Sequence, residues 1–285
     1  MNRRILRTGC LTILAALACV CMTTVGNAET LRIDFNSTSQ DGGPHNQAGY
    51  QAYDAAHEVA ADFVTQNYAA FGTTVSLTPA WPNTTDNRVM QSIDRGAGND
   101  VNWDDTAGDL NLVTDFLGTD TRTGNGGNGD WDGTIGTPTY MTLTLGGLEA
   151  MEYDWTSFHA DTENVHGYFS VELSTDGGVN FTQLADGYMS DASPGGNPDS
   201  TIAPYPGLVI GPDVTTVMST YNTSFTANGT DDVVLRFAPY SNTQVHRQIW
   251  GISGFELAEV PEPSTIVLLL VGAVAIVVAR RRRVA

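Results

Sequence analysis

Met141-Thr142-Leu143-Thr144-Leu145-Gly146-Gly147 is the stretch from which the fold is read. Apolar residues fall on every second position, and two glycines close the run. A period of two sends Met141, Leu143 and Leu145 to one face of an extended strand and both threonines to the other. The same alternation recurs in Leu31-Arg32-Ile33-Asp34-Phe35, Phe169-Ser170-Val171-Glu172-Leu173 and Val233-Val234-Leu235-Arg236-Phe237. Met151, Tyr153 and Trp155 mark a further inward face, and Ile252, Phe255 and Leu257 a last strand. Between them stand turn clusters such as Asp176-Gly177-Gly178, Gly195-Gly196-Asn197-Pro198 and Asn228-Gly229. Many short half-buried strands separated by Gly-rich turns predict an all-β fold, a β-sandwich or jelly roll of more than ten strands. The first strand, 31–35, is expected to pair near the last, 252–257, which would leave the chain ends together at one edge.

Two regions depart from that pattern. Residues 53–70, with Val59, Phe63 and Val64 on one side, are the one helix candidate, without a clean apolar stripe. Residues 96–138 are dense in Gly, Asn and Asp and predict a long loop, a feature that is often functional or ordered by a ligand.

Charge divides the chain into three parts. All 13 basic residues are Arg, against 32 acids in 285 residues. Three Arg lie in residues 1–28 and four in 261–285, which also holds one acid, Glu262. The intervening body keeps 6 Arg and 31 acids, a net charge of −25. Such a body repels a phosphate backbone, which excludes nucleic acid as a partner. Aromatic and branched apolar residues recur throughout, so the acidity is that of a folded domain and not of a disordered tail. At this length it can bury a sizeable core.

Both ends read as addresses. Arg3, Arg4 and Arg7 precede an apolar run from 11 to 25, followed by Gly26-Asn27-Ala28. That order predicts a secretory signal peptide over residues 1–28, cleaved after Ala28 by the secretion machinery. Cys10, Cys19 and Cys21 leave with it, so no disulfide is expected in the mature protein. The ectodomain then spans 29–259, and residues 260–285 form the third segment. Val260-Pro261-Glu262-Pro263-Ser264 leads into an apolar run over 266–279, then Arg280, Arg281, Arg282 and Arg283. Fourteen helical residues cover about 21 Å, short of the roughly 30 Å hydrocarbon core. Extending the segment to 264–279 with snorkelling arginines gives a marginal span. The four Arg act as a membrane stop and keep their end in the cytoplasm, with the acidic body outside.

This tripartite tail resembles the PEP-CTERM sorting signal of Gram-negative bacteria, with Pro261-Glu262-Pro263 as the matching motif. The resemblance implies an exosortase-type membrane enzyme as partner. It further implies an inner-membrane-anchored precursor, processing near the motif, and an association with exopolysaccharide at the cell surface or in the matrix. It covers the tail alone and implies a route, not an activity.

Inside the body, Ser174-Thr175-Asp176-Gly177-Gly178-Val179-Asn180-Phe181 resembles a single Asp-box. There the Asp caps turn amides, the glycines open the turn and the aromatic anchors the return strand, which is a structural role. His159, Asp161, Glu163 and His166 make the densest ligand cluster, with the residue types of a zinc or other transition-metal site. Asp130 and Asp132, in the loop Asn125-Gly126-Gly127-Asn128-Gly129-Asp130-Trp131-Asp132-Gly133, offer the oxygen ligands that calcium uses. Trp103 and Trp131 are the candidate aromatic platforms for a sugar ring.

Serine-hydrolase and phosphate-loop motifs are absent, and His57-Glu58 lacks the second His of a zinc-protease helix. Two function classes follow. One is a structural or polysaccharide-binding module carried to the outer surface, and the missing catalytic signature favours it. The alternative is a secreted polysaccharide hydrolase or lyase, which needs convergent carboxylates or a metal held by His159 and His166.

Overall fold

A computed structural model describes residues 29–39, 45–57, 59–82, 91–94, 110–120, 140–159, 169–188, 219–239 and 249–260. The chain divides into two compact units, one of them Thr30–Ala258. The other comprises Met1–Glu29 and Glu259–Ala285. Of that second unit only Glu29, Glu259 and Val260 are described, and Glu259 N donates to Glu29 O at 3.1 Å. The expected signal peptide, sorting motif, span and basic tail therefore lie outside the described residues. Among the described residues no helix is long and apolar enough to cross a membrane.

Fourteen strands are described. They are β1 (Thr30–Ser37), β2 (Gln51–Ala55), β3 (Gln66–Ala70), β4 (Thr73–Ala80), β5 (Gln91–Asp94), β6 (Asp115–Asp120) and β7 (Met141–Gly146). The remainder are β8 (Glu152–His159), β9 (Phe169–Ser174), β10 (Thr182–Tyr188), β11 (Ser219–Thr226), β12 (Val233–Pro239), β13 (Ile249–Ile252) and β14 (Gly254–Glu259). A five-stranded sheet has the order β11-β8-β14-β1-β2, a six-stranded sheet β10-β9-β12-β7-β4-β3, and a small sheet β13-β6-β5.

The alternation in the sequence decides which faces are buried. Leu31, Ile33 and Phe35 of β1 are fully buried, as are Met141, Leu143 and Leu145 of β7, Tyr153 and Trp155 of β8, and Leu235 and Phe237 of β12. The five- and six-stranded sheets meet across this core. Phe71, in the β3–β4 turn, lies edge-on to Tyr153 at 5.3 Å, and Phe169 of β9 meets Tyr221 of β11 at 6.4 Å. Trp155 stacks on Phe255 at 4.3 Å, and Trp250 of the small sheet on Phe237 at 4.8 Å. Burying each such ring stabilises the fold by roughly 2–3 kcal/mol before chain entropy is subtracted.

The all-β expectation holds, and the first and last strands do pair: Leu31 opposes Leu257 and Ile33 opposes Phe255. The chain ends lie together as expected, with Thr30 opposite Ala258, but not at an edge of the sheet. β1 and β14 sit inside the five-stranded sheet, flanked by β2 and β8. The expected helix over 53–70 is also overturned. Tyr53 belongs to β2, Gln66–Ala70 is β3, and between them only Ala60–Asp62 makes a 3-10 turn. Tyr53 and Tyr68 are buried as strand residues, which outweighs the weak helical spacing of Val59, Phe63 and Val64. Among the described residues of the expected loop over 96–138 is a helical turn, α1 (Leu110–Thr114), running directly into β6. Leu112, Phe116 and Leu117 are buried there, an apolar run hidden by its polar neighbours in sequence.

Candidate functional site

β1 and β2 are parallel, with Asp34 opposite Ala52 and Asn36 opposite Asp54. Parallel neighbours cannot be joined by a tight hairpin, so the connecting chain must return across the sheet. The return lays His45, Asn46 and Gln47 over the outer face of β1. Each of the three is held by a polar group beneath or beside it. His45 N donates to Asp115 Oδ2 at 3.2 Å, and Gln47 N donates to Asp34 Oδ2 at 2.6 Å. Asn46 accepts from Asn36 Nδ2 on its side-chain oxygen at 2.7 Å and from Asn111 Nδ2 on its carbonyl at 3.2 Å. Asn36 Nδ2 also reaches Asp54 Oδ1 at 3.1 Å.

The helical turn α1 closes the other side. Gly254 lies opposite Asp34 on β14. A Cβ on it would stand 2.5 Å from the Ile33 carbonyl oxygen and 2.7 Å from Leu112 Cδ1, so a bare glycine is needed both for the close approach of β1 and for the seating of α1. Asp34 and Asn36 occupy the polar, outward positions of β1, yet both are fully buried.

The electrostatics of this pocket are unusual for an outer face. Register sets Arg32 against Glu256, and the pair closes at 2.8 Å with Tyr50 also donating to Glu256 at 2.8 Å. The other described arginine, Arg236, is paired with Glu172 on the six-stranded sheet. Among the described residues no cation is left for Asp34. Burial pushes its carboxyl up to about 7, opposed by the Gln47 amide and reinforced by the nearby Asp54 charge. Asp34 Oδ1 and Asn36 Oδ1 are buried without a hydrogen-bond partner. Unsatisfied buried oxygens are costly and uncommon in native proteins.

The Asp-box turn between β9 and β10 solves its polar problem fully. Asp176 Oδ1 accepts from Ser174 Oγ at 2.6 Å, Asn180 N at 2.9 Å and Val179 N at 3.2 Å, and Oδ2 accepts from Asn180 Nδ2 at 2.7 Å. Gly177 and Gly178 take φ of 71° and 85°, which an L side chain rarely adopts. The Asn180 amide, then the Ser174 hydroxyl and Asn180 side chain, draw the Asp176 carboxyl down to about 2. Phe181 anchors the return under the Arg236 guanidinium, 4.0 Å from the ring centre. The structural role read from the sequence is the one observed.

Of the sequence-predicted ligands, His159 is described and lies in the core, tilted against Phe169 with ring centres 4.5 Å apart. Its Nδ1 lies 2.8 Å from Gly251 O, so that nitrogen donates; Nε2 is 2.9 Å from Ser157 Oγ. In the neutral ring the Nε2 lone pair a metal would use is taken by that hydroxyl. Asp161, Glu163, His166, Asp130, Asp132, Trp103 and Trp131 lie outside the described residues, as do Pro261, Glu262, Pro263 and Arg280 to Arg283. Among the described residues no three His, Cys, Asp or Glu side chains gather as a metal site. The pocket at Asp34 escaped the sequence reading because its residues alternate like any half-exposed strand.

The family model of the PEP-CTERM protein-sorting motif matches residues 259–283. The chain carries this sorting motif at its C-terminal tail. The motif implies export, membrane-anchored sorting and an exosortase as processing partner. The curated proteins hold no match to the sequence. Among solved structures, the plant receptor-like kinase ANX2 is 10% identical with a TM-score of 0.41, over 82% of this chain and 48% of that one. The ANXUR1 extracellular domain of Arabidopsis thaliana is 8% identical with a TM-score of 0.39, over 80% and 47%. A cleaved adhesin domain of Lys-gingipain from Porphyromonas gingivalis is 13% identical with a TM-score of 0.30, over 63% and 97%. The chain thus spans about half the length of the two plant proteins, and scores this low bear on neither fold nor function.

Proposed function

We propose that residues 29–259 form a jelly-roll-like structural or polysaccharide-binding module, delivered to the cell surface or extracellular matrix by the sorting tail. The observation that carries this reading is a PEP-CTERM motif attached to an all-β body. The tail supplies the route: span 264–279 holds the precursor in the inner membrane, Arg280 to Arg283 stop transfer, and the exosortase acts near Pro261-Glu262-Pro263. The body supplies a folded, cysteine-free platform, since all three cysteines precede residue 29. Trp103 and Trp131 supply aromatic faces for sugar rings, with exopolysaccharide as the partner.

The test is affinity electrophoresis of the purified chain through gels containing neutral or acidic polysaccharides. Retardation by at least one polysaccharide, lost in Trp103→Ala or Trp131→Ala, is expected. Migration unchanged in every gel would overturn the binding reading. Release of reducing ends or unsaturated sugars would favour the alternative hydrolase or lyase.

A further inference from the structure

We propose that Asp34, Asn36 and Asp54 form a calcium site beneath the His45–Gln47 segment. Asp34 Oδ1 and Asn36 Oδ1 come from fully buried side chains, and neither oxygen has a partner. The two residues stand two apart on one strand face, with Cα atoms about 7 Å apart, a spacing that lets their side-chain oxygens converge on one ion. Asp54 sits directly opposite Asn36 and accepts from its Nδ2 on Oδ1, which leaves Asp54 Oδ2 for an ion. Because β2 is the edge strand of its sheet and Asp54 is exposed, that carboxylate opens the site to solvent.

The donor chemistry selects the ion. Two carboxylates and a side-chain amide oxygen are hard ligands, with neither sulfur nor imidazole among them. Calcium accepts such mixed oxygen sets in flexible geometry and fills its shell with carbonyls and water, whereas magnesium requires a near-regular octahedron and gives up its waters reluctantly. Among the described residues no arginine neutralises Asp34, because Arg32 is committed to Glu256 by strand register and Arg236 to Glu172. The net charge of −25 over the body also raises the local concentration of divalent cations. A bound ion would satisfy both orphan oxygens and fix the crossover segment to the sheet.

The experiment is equilibrium dialysis of the purified full chain against radiolabelled calcium, with melting curves in calcium, magnesium and chelator at matched ionic strength. The wild-type chain is expected to bind calcium and to melt several degrees higher in calcium than in magnesium. Asp34→Asn is expected to bind one calcium fewer per chain and to lose most of that difference. Asn36→Asp decides the matter should Asp34→Asn fail to fold. A third carboxylate crowds like charges in chelator, so this variant melts below wild type there and gains more from calcium. Unchanged stoichiometry in Asp34→Asn would overturn the site, as would a calcium effect abolished only by Asp130→Asn with Asp132→Asn. Equal losses for Asn36→Asp in chelator and in calcium would overturn it too.

Discussion

Asp34 and Asp176 are the same side chain placed on two sides of one molecule, and the fold treats them in opposite ways. Asp176 stands in an open turn and collects a hydroxyl, two backbone amides and a side-chain amide. Asp34 lies under a crossover connection with one amide and no cation among the described residues. The first carboxyl is held at about 2 and the second at about 7. Donors outnumber the burial penalty in the turn, and burial outweighs the single donor in the pocket. A carboxylate's behaviour is therefore set by what covers it and not by its position in an alternating strand.

The comparison is most sharply tested by pH. Asp34 is raised in the folded state, so its contribution to stability is complete below about pH 4 and is lost as pH rises through about 7. In chelator this loss has a ceiling of about 4 kcal/mol, since each tenfold change in proton affinity is worth about 1.4 kcal/mol. Asp34→Asn should flatten that limb of a urea-denaturation series between pH 4 and 8, with Asp54, Glu256, Asp115 and His45 as the other ionisable groups around it. A limb that persists in Asp34→Asn would show that Asp34 is not its source.

Uncovering the pocket should remove the contrast. Gly254→Val brings side-chain atoms against the Ile33 carbonyl and Leu112 and is expected to destabilise the body by about 2–3 kcal/mol, as overpacking does. The displaced α1 should also let water reach Asp34, so the same pH limb should shrink. Destabilisation with an unchanged limb would show that α1 is not what excludes water.

The turn should give the opposite sign at smaller amplitude. Asp176 is lowered in the folded state, so its contribution is present above about pH 4 and is lost as pH falls through about 2. Asp176→Asn should melt slightly below wild type at neutral pH and converge with it at pH 2. The smallest effect belongs to the anchor of that turn. A double-mutant cycle of Phe181→Leu with Arg236→Met should return a coupling of about 0.5–1 kcal/mol, the range of an exposed cation–π contact. No coupling would leave Phe181 as a purely apolar anchor.

The Asp-box turn was legible from eight residues because every interaction in it is local: Asp, two glycines and an aromatic at fixed offsets close their own hydrogen bonds. The core strands were legible for a related reason, since Leu31, Ile33 and Phe35 repeat at the pleat period and burial follows the period. Residues 53–70 misled because Val59, Phe63 and Val64 hint at a helix only when Tyr53 and Tyr68 are not seen as strand residues. Leu112, Phe116 and Leu117 misled in the other direction, their apolar run being diluted by surrounding Gly and Asp.

By itself the sequence determined the all-β body, the pairing of its first and last strands, the self-contained Asp-box turn and the PEP-CTERM tail. Each depends on period or on residues adjacent along the chain. Only the tertiary structure decided that β1 and β14 lie inside a sheet, that His159 is a core residue, and that Asp34 and Asn36 are buried. Those outcomes depend on where a parallel connection returns and on what Gly254 lets Leu112 reach. They join residues as far apart as 34, 112 and 254, and no local pattern records that approach.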